Sequence, residues 1–202
     1  MKFEGEFYNV NEPVIIPEMK NGHPNFFLGG GSDQATEISA KHSSVHLFWG
    51  DYPSAIAENI KKIKEVAAKY GRENELEYSM RLQVICRESE QEAWDFAHQL
   101  VEGAESQKAL KQQRDQGINS VANSRQIALA SVENGKMTPH LWTGINDVRA
   151  GAGVAVVGNY KQVAEQLYEF VDAGCSGFCL SGYPHDQEAE IFGKHVMPLL
   201  MK

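Results

Sequence analysis

The chain has 202 residues, 42% of them hydrophobic and 23% charged, with a formal net charge of −8, the make-up of a globular protein with room for one domain and a sizeable core. The acidic balance argues against nonspecific binding to nucleic acid or to an anionic membrane surface, which both need concentrated basic charge. No run approaches the ~18 apolar residues of a membrane span and the start "MKFEGEFYNV" is too acidic for a signal peptide, so a cytoplasmic protein with no membrane partner is expected.

In chain order, residues 1–23 read as an N-terminal arm or small hairpin. From Pro24, "PNFFLGGGSDQATEISAKH" gives a short apolar run, a glycine loop and a helix. Val45–Trp49 is the next strand, followed by a Gly-Asp-Tyr-Pro loop and a helix from Ser54 with Ile56, Ile60, Ile63, Val66 and Ala67 on one face, stopped by Gly71. Residues 76–87 are extended, and Ser89 with Glu92 forms a capping box for a helix reaching about Val101. Between 102 and 143 the chain is polar with no clear strand, which fits either a lid or binding loop or a solvated helical excursion. Asn159 then caps a helix through Val163, Leu167, Phe170 and Val171, Gly174 ends it, and a strand at 178–180 precedes a C-terminal helix.

Strands alternating with helices predict an α/β protein with a parallel sheet, because parallel neighbours need a crossover. Four such units are visible where a closed barrel has eight, so a small open sheet or half of a barrel is expected. Cys86, Cys175 and Cys179 lie in or beside apolar runs, so buried, reduced thiols are expected rather than a disulfide or zinc framework.

Parallel α/β sheets bind ligands at the C-terminal ends of their strands. The first such corner carries Gly29, Gly30, Gly31 and Ser32 at a helix start, where free N–H groups favour a phosphate. The second carries Trp49, either a wall for a ring or a core residue. On the third strand Arg81 and Gln83 share a face, and an arginine there needs an acidic partner or an anionic ligand. Arg149 sits in "VRAGAG", which does not make a dinucleotide fingerprint because Val156 stands where the third glycine is required. The last corner holds Ser181, Gly182, Tyr183 and His185, able to donate hydrogen bonds or move protons, or simply to turn the chain. No residue set meets the minimum for a metal site, a P-loop or a G-x-S-x-G elbow.

Taken together and in order, "FFLGGGSD", "HLFWGDYP", "MRLQVICRESEQEAW", "VRAGAGVAVVG" and "FCLSGYPH" resemble the luciferase-like flavin monooxygenases, and among them the alkanesulfonate monooxygenases. The resemblance runs over almost the whole chain. It implies a TIM-barrel-type fold of which this chain carries the C-terminal half, the last four of eight strands, with the segment 102–143 as a lid. It implies reduced FMN (FMNH2) as cofactor and O2 as co-substrate, an NAD(P)H-dependent flavin reductase as partner, and a small organosulfur substrate cleaved to aldehyde and sulfite. Gly31, Ser32, Trp49 and Tyr183 would then meet the cofactor, and Arg81, Gln83, Arg149 and Tyr183 the reacting centre, with no metal. The family's alkanesulfonate enzymes usually carry histidine where this chain has Gln83, so the same chemistry on a sulfone or a long alkane is an alternative. Open sheet edges predict a homo-oligomer, and with it a second alternative, a noncatalytic flavin-binding or dimerising half barrel.

Overall fold

The computed structural model describes residues 2–11, 24–103, 120–147 and 153–201. Strands β1 (Lys2–Glu4) and β2 (Asn9–Asn11) form an exposed antiparallel hairpin apart from the main sheet. The main sheet opens with β3 (Phe27–Gly29). Ser32 then starts α1 (Asp33–His42), its Oγ accepting the Ala35 N–H at 3.1 Å; a cap of this kind contributes ~1 kcal/mol. β4 (Val45–Trp49) runs parallel to β3 and leads to α2 (Pro53–Ala68). Its first residue, Pro53, falls where a helix needs no N–H, and its buried stripe is Ile56, Ile60, Ile63 and Ala67.

The long strand β5 (Glu77–Arg87) is followed by α3 (Glu90–Val101), whose Ser89–Glu92 capping box forms as expected. Next come α4 (Val121–Ala130), the two-residue β6 (Leu141–Trp142), and β7 (Ala155–Asn159). Asn159 and Gln162 make a second capping box at the start of α5 (Tyr160–Asp172). The chain ends with β8 (Gly177–Ser181), α6 (His185–His195) and the single turn α7 (Met197–Leu200).

β5 organises the molecule. β4 pairs with it over 77–81 and β8 over 79–83, both parallel, so β3, β4, β5 and β8 stand side by side in chain order. This is the (βα) succession of a TIM-barrel wall. β7 pairs in parallel with the upper part of β5, over 83–87, and β6 adds antiparallel to β7. A Cβ built on Gly50 would lie 2.5 Å from the Val154 Cβ, so β7 begins where β4 ends, and only glycine lets them meet. The even-numbered side chains of β5, Tyr78, Met80, Leu82, Val84 and Cys86, join the main core with the isoleucines of α2 and with Val163, Leu167 and Phe170 of α5. A second cluster places Ile85 with Ala155, Val157, Trp142, Ile145, Ala93 and Ala97.

The structure adds strands that sequence reading did not assign. Residues 154–157, left without an element there, are the fully buried entry of β7: a short apolar run after glycines has too little periodicity to declare itself a strand. Likewise β6 lies inside the stretch expected to be strandless. Cys86 and Cys175 are buried free thiols, pushed up to about 11 by burial, but Cys179 is an exposed free thiol because the face of β8 that carries it is open. Among the described residues no helix is long and apolar enough to cross a membrane.

Candidate functional site

The odd-numbered face of β5 opposes the main core. Register sets Leu47 beside Ser79 and Trp49 beside Arg81 on one side, and Gly177, Cys179 and Ser181 beside Ser79, Arg81 and Gln83 on the other. Paired residues of parallel strands point the same way. The face therefore carries a row Trp49–Arg81–Cys179 and above it a row Gln83–Ser181. Ser181 Oγ donates to Gln83 Oε1 at 3.0 Å, and the Gln83 N–H donates to the Val154 carbonyl at 3.0 Å.

Arg81 is half-buried in the middle of this face. Among the described residues no carboxylate and no hydrogen bond meets its guanidinium. Of the two needs expected of it, an acidic partner is not found among the described residues.

Trp49 also lines a cavity of about 620 Å³ at the C-terminal ends of β3 and β4, between α1, α2 and α4. Gly29, Gly30, Gly31, Thr36, His46, Lys62 and Arg125 share its wall. Gly30 takes φ 152, and a Cβ there would sit 2.7 Å from that of Ala35, so the bend is available to glycine alone. Ser32 Oγ accepts the Ala35 N–H as the cap of α1, and the cavity lining passes from Gly31 to Thr36 without residues 32–35. Thr36 is 7% exposed and lines the cavity; its hydroxyl has no hydrogen-bond partner among the described residues. Asp33, the acidic residue of this turn, is held by Lys62 Nζ at 2.7 Å, which depresses its carboxyl below the usual range. The corner can therefore take a small oxyanion, with an aromatic wall beside it.

α4 closes the cavity through interactions that sequence reading did not anticipate. Arg125 grips the buried Asp51 with two hydrogen bonds of 2.7 and 2.8 Å. Gln126 donates to the Gly50 carbonyl at 2.9 Å and accepts the Gly153 N–H at 3.4 Å, tying β4 to β7. The only advance signal was an acid in a strand-end corner with an arginine in a polar insertion, and neither predicts the other.

At the opposite corner Tyr183 follows Ser181 by two residues, its ring 4.8 Å from that of His185 and its peptide to Pro184 cis. Arg87 fixes this corner: its guanidinium lies over the Phe96 ring at 3.9 Å and donates to both oxygens of the buried Glu188, at 2.7 and 3.1 Å. Glu188 in turn packs under Gly182. Of the predicted residues, then, Gly31 and Trp49 share the cavity, Trp49 and Arg81 share a row, Gln83 is bonded to the strand that leads to Tyr183, and Ser32 is occupied as a helix cap. Arg149 lies outside the described residues, as does 104–119 of the expected lid.

Residues 1–177 match the family model described as luciferase-like monooxygenase. Among solved structures, DmoA from Hyphomicrobium sulfonivorans superposes with a TM-score of 0.72 at 21% identity, over 98% of this chain and 46% of that one. EDTA monooxygenase (EmoA) from Chelativorans sp. BNC1 gives 0.70 at 18% identity, over 98% and 49%. Riboflavin lyase (RcaE) gives 0.70 at 17%, over 99% and 48%. The chain thus spans about half the length of these relatives, and at such identities the likeness speaks for the fold.

Proposed function

Since this chain belongs to the luciferase-like monooxygenase family, we propose that it forms half of the active-site barrel of an enzyme that uses reduced FMN and O2 to cleave the carbon–sulfur bond of an alkanesulfonate, giving aldehyde and sulfite. A separate NAD(P)H-dependent flavin reductase would deliver the cofactor. The observation that carries this reading is Arg81: a half-buried guanidinium with no internal partner among the described residues, beside an aromatic wall and a cavity at the strand ends. The residues fit a flavin mononucleotide. Gly30, Gly31 and the Thr36 hydroxyl would take its phosphate, and Trp49 offers a face for its ring. The solved structure of riboflavin lyase holds modified FMN, and that of an oxygenating component of 3,6-diketocamphane monooxygenase holds FMN.

Bound reduced flavin would supply two electrons, so that one atom of O2 enters the substrate and the other leaves as water. In this reading Arg81 holds the sulfonate oxygens, with Arg149 as a second cation. Gln83, fixed by Ser181, gives the substrate a hydrogen bond but no titratable group. Tyr183 presents a hydroxyl that can pass a proton at the mouth. Anaerobic titration of the chain with reduced FMN tests the reading, followed by sulfite release from alkanesulfonates of several lengths with a flavin reductase present. Saturable binding and sulfite support it; a folded chain that binds no reduced FMN, even when supplied with a family N-terminal half, overturns it.

The position of Gln83 favours one variant, the same chemistry on a sulfone or on a long alkane; a long-chain alkane monooxygenase (LadA) is among the structural neighbours. Two other neighbours depend on F420, so that cofactor belongs in the titration. A noncatalytic homodimer is favoured by a different observation. Beside β8 an apolar groove of about 850 Å³ is lined by Phe178, Leu180, Phe192 and Met197, and at the far edge of the sheet Phe27 is 64% exposed. That reading expects a stable dimer that binds flavin and releases no sulfite.

A further inference from the structure

The sheet that carries Arg81 has two open edges, and the chain protects neither. Among the described residues β3 pairs only with β4, and β8 only with β5. β7 meets β5 over 83–87, beyond the end of β4, so it covers neither edge. Open edges accept further strands, and a protein that stays alone blunts them, most often with charge. Residues 24–32 and 176–184, which hold the two edge strands, contain no Asp, Glu, Lys or Arg, although 23% of the chain is charged. The exposed hairpin does carry such residues, Lys2 and Glu4. Both bare edges are apolar as well, through the exposed Phe27 on β3 and the groove beside β8.

The register determines which strand fits them. Gly29, Leu47, Ser79 and Gly177 stand level across β3, β4, β5 and β8. A parallel barrel of about eight strands closes with a shear of ~8 residues, so a half repeated by a two-fold axis takes up about four of them. A step of about four residues from Gly177 sets Gly29 of a second copy beside Ser181, its Leu28 beside Leu180 and its Phe27 beside Cys179. The opposite step would lay β3 against the end of α5, where there is no strand to pair with. All three pairs are apolar or small. Phe27 and Cys179 point to the face of Arg81, because paired residues of parallel strands point the same way.

We propose that two copies of this chain close an eight-stranded ring, in which β3 of each pairs in parallel with β8 of the other in the register Phe27–Cys179, Leu28–Leu180 and Gly29–Ser181. One contact, made twice about a two-fold axis, removes every open edge of both sheets. The second copy also completes the site: its Phe27 extends the row Trp49–Arg81–Cys179, and its own face closes over that row. The groove beside β8, lined by Leu180, receives Leu28 of the second copy. The inference rests on the homodimer reading and deepens it by naming the strands that meet and their register.

Two substitutions test that register. Phe27→Glu and Cys179→Lys change side chains that are exposed in the single chain, and thermal unfolding should show both variants folded. In the ring each change buries an unpaired charge at both junctions. We expect the wild type to sediment as a dimer and each variant to dimerise at least tenfold more weakly. Mixed in equal amounts, the two variants should form a heterodimer within about threefold of the wild-type affinity, since one junction joins opposite introduced charges and the other joins unaltered strands. An edge paired with itself would be broken by only one of the two changes and gives no rescue. In the wild type, Cys179 should react with a maleimide at least tenfold more slowly in the dimer than in the diluted monomer; Cys86 and Cys175 are buried and do not contribute. Phe7→Ser, on the exposed hairpin, should leave the dimer unchanged.

A dimer that survives both edge changes, shows no rescue on mixing, or is abolished by Phe7→Ser keeps the homodimer reading and overturns the ring. A chain that is monomeric at every concentration, whether or not it takes up a family N-terminal half, overturns both. If either edge variant fails to fold, the wild-type maleimide rates decide alone, and an unprotected Cys179 in the dimer overturns the ring. A ring that forms but binds no reduced FMN leaves this inference standing while the flavin reading falls.

Discussion

The two corners of the sheet treat their polar groups in opposite ways. At the β8–α6 corner each strong group is spent inside the protein: Glu188 takes both arms of Arg87, and Ser181 bonds Gln83. What that side leaves over is apolar, the groove along Phe178, Leu180 and Met197. At the α1–β4 corner and on the adjoining face, capacity is left unused: Arg81 and the Thr36 hydroxyl have no partner among the described residues. Groups left without an internal partner at a strand-end cavity are available to a ligand, while the other corner is built as scaffold around the Arg87–Glu188 pair.

The sharpest way to break this contrast is to open the scaffold pair. Glu188→Ala leaves Arg87 without a counter-charge in a mostly buried place, and the loss should be about 3 kcal/mol, read as a fall in the urea midpoint with unchanged slope. A loss below ~1 kcal/mol would mean that the pair is no scaffold.

Acid should come next. Burial depresses the His46 imidazole to about 4, the Gly30 contact opposing in part, against about 6.5 in the unfolded chain. Between those values the unfolded chain binds the extra proton, so stability is complete above pH 6.5 and falls as pH drops toward 4. The cost is on the order of 3 kcal/mol. Unfolding measured from pH 7 to 4 should show this slope, and His46→Gln should flatten it.

A smaller effect is expected at α4. Asp51→Asn weakens the grip on Arg125, which is half-exposed, so the cost should be ~1 kcal/mol, confined to faster amide exchange in Val121–Ala130. Global destabilisation instead would place α4 in the core rather than on the cavity. Smallest for stability is Arg81→Leu: removing a guanidinium that no described group satisfies should leave the unfolding free energy within ~0.5 kcal/mol or raise it. The same change should cost at least tenfold in methanesulfonate or reduced-FMN affinity. A large loss of stability would mean that Arg81 is structural.

Much of this could be read along the chain, because it depends on neighbours in sequence. The capping boxes at Ser89 and Asn159, the glycine stops at Gly71 and Gly174, and the shared face of Arg81 and Gln83 follow from local hydrogen bonding and from the two-residue period of a strand. The order of the strand-end motifs was likewise enough to point to the family that the match over residues 1–177 bears out. β7 escaped, since a buried five-residue run carries no alternation. Only the folded arrangement could decide which groups are satisfied. Arg87 finds Glu188 across 101 residues, Arg125 finds Asp51 across 74, and Arg81 finds nothing among the described residues. Such pairings depend on which strands and helices are packed together, and a hydrogen bond between side chains so far apart leaves no period, spacing or local propensity behind it.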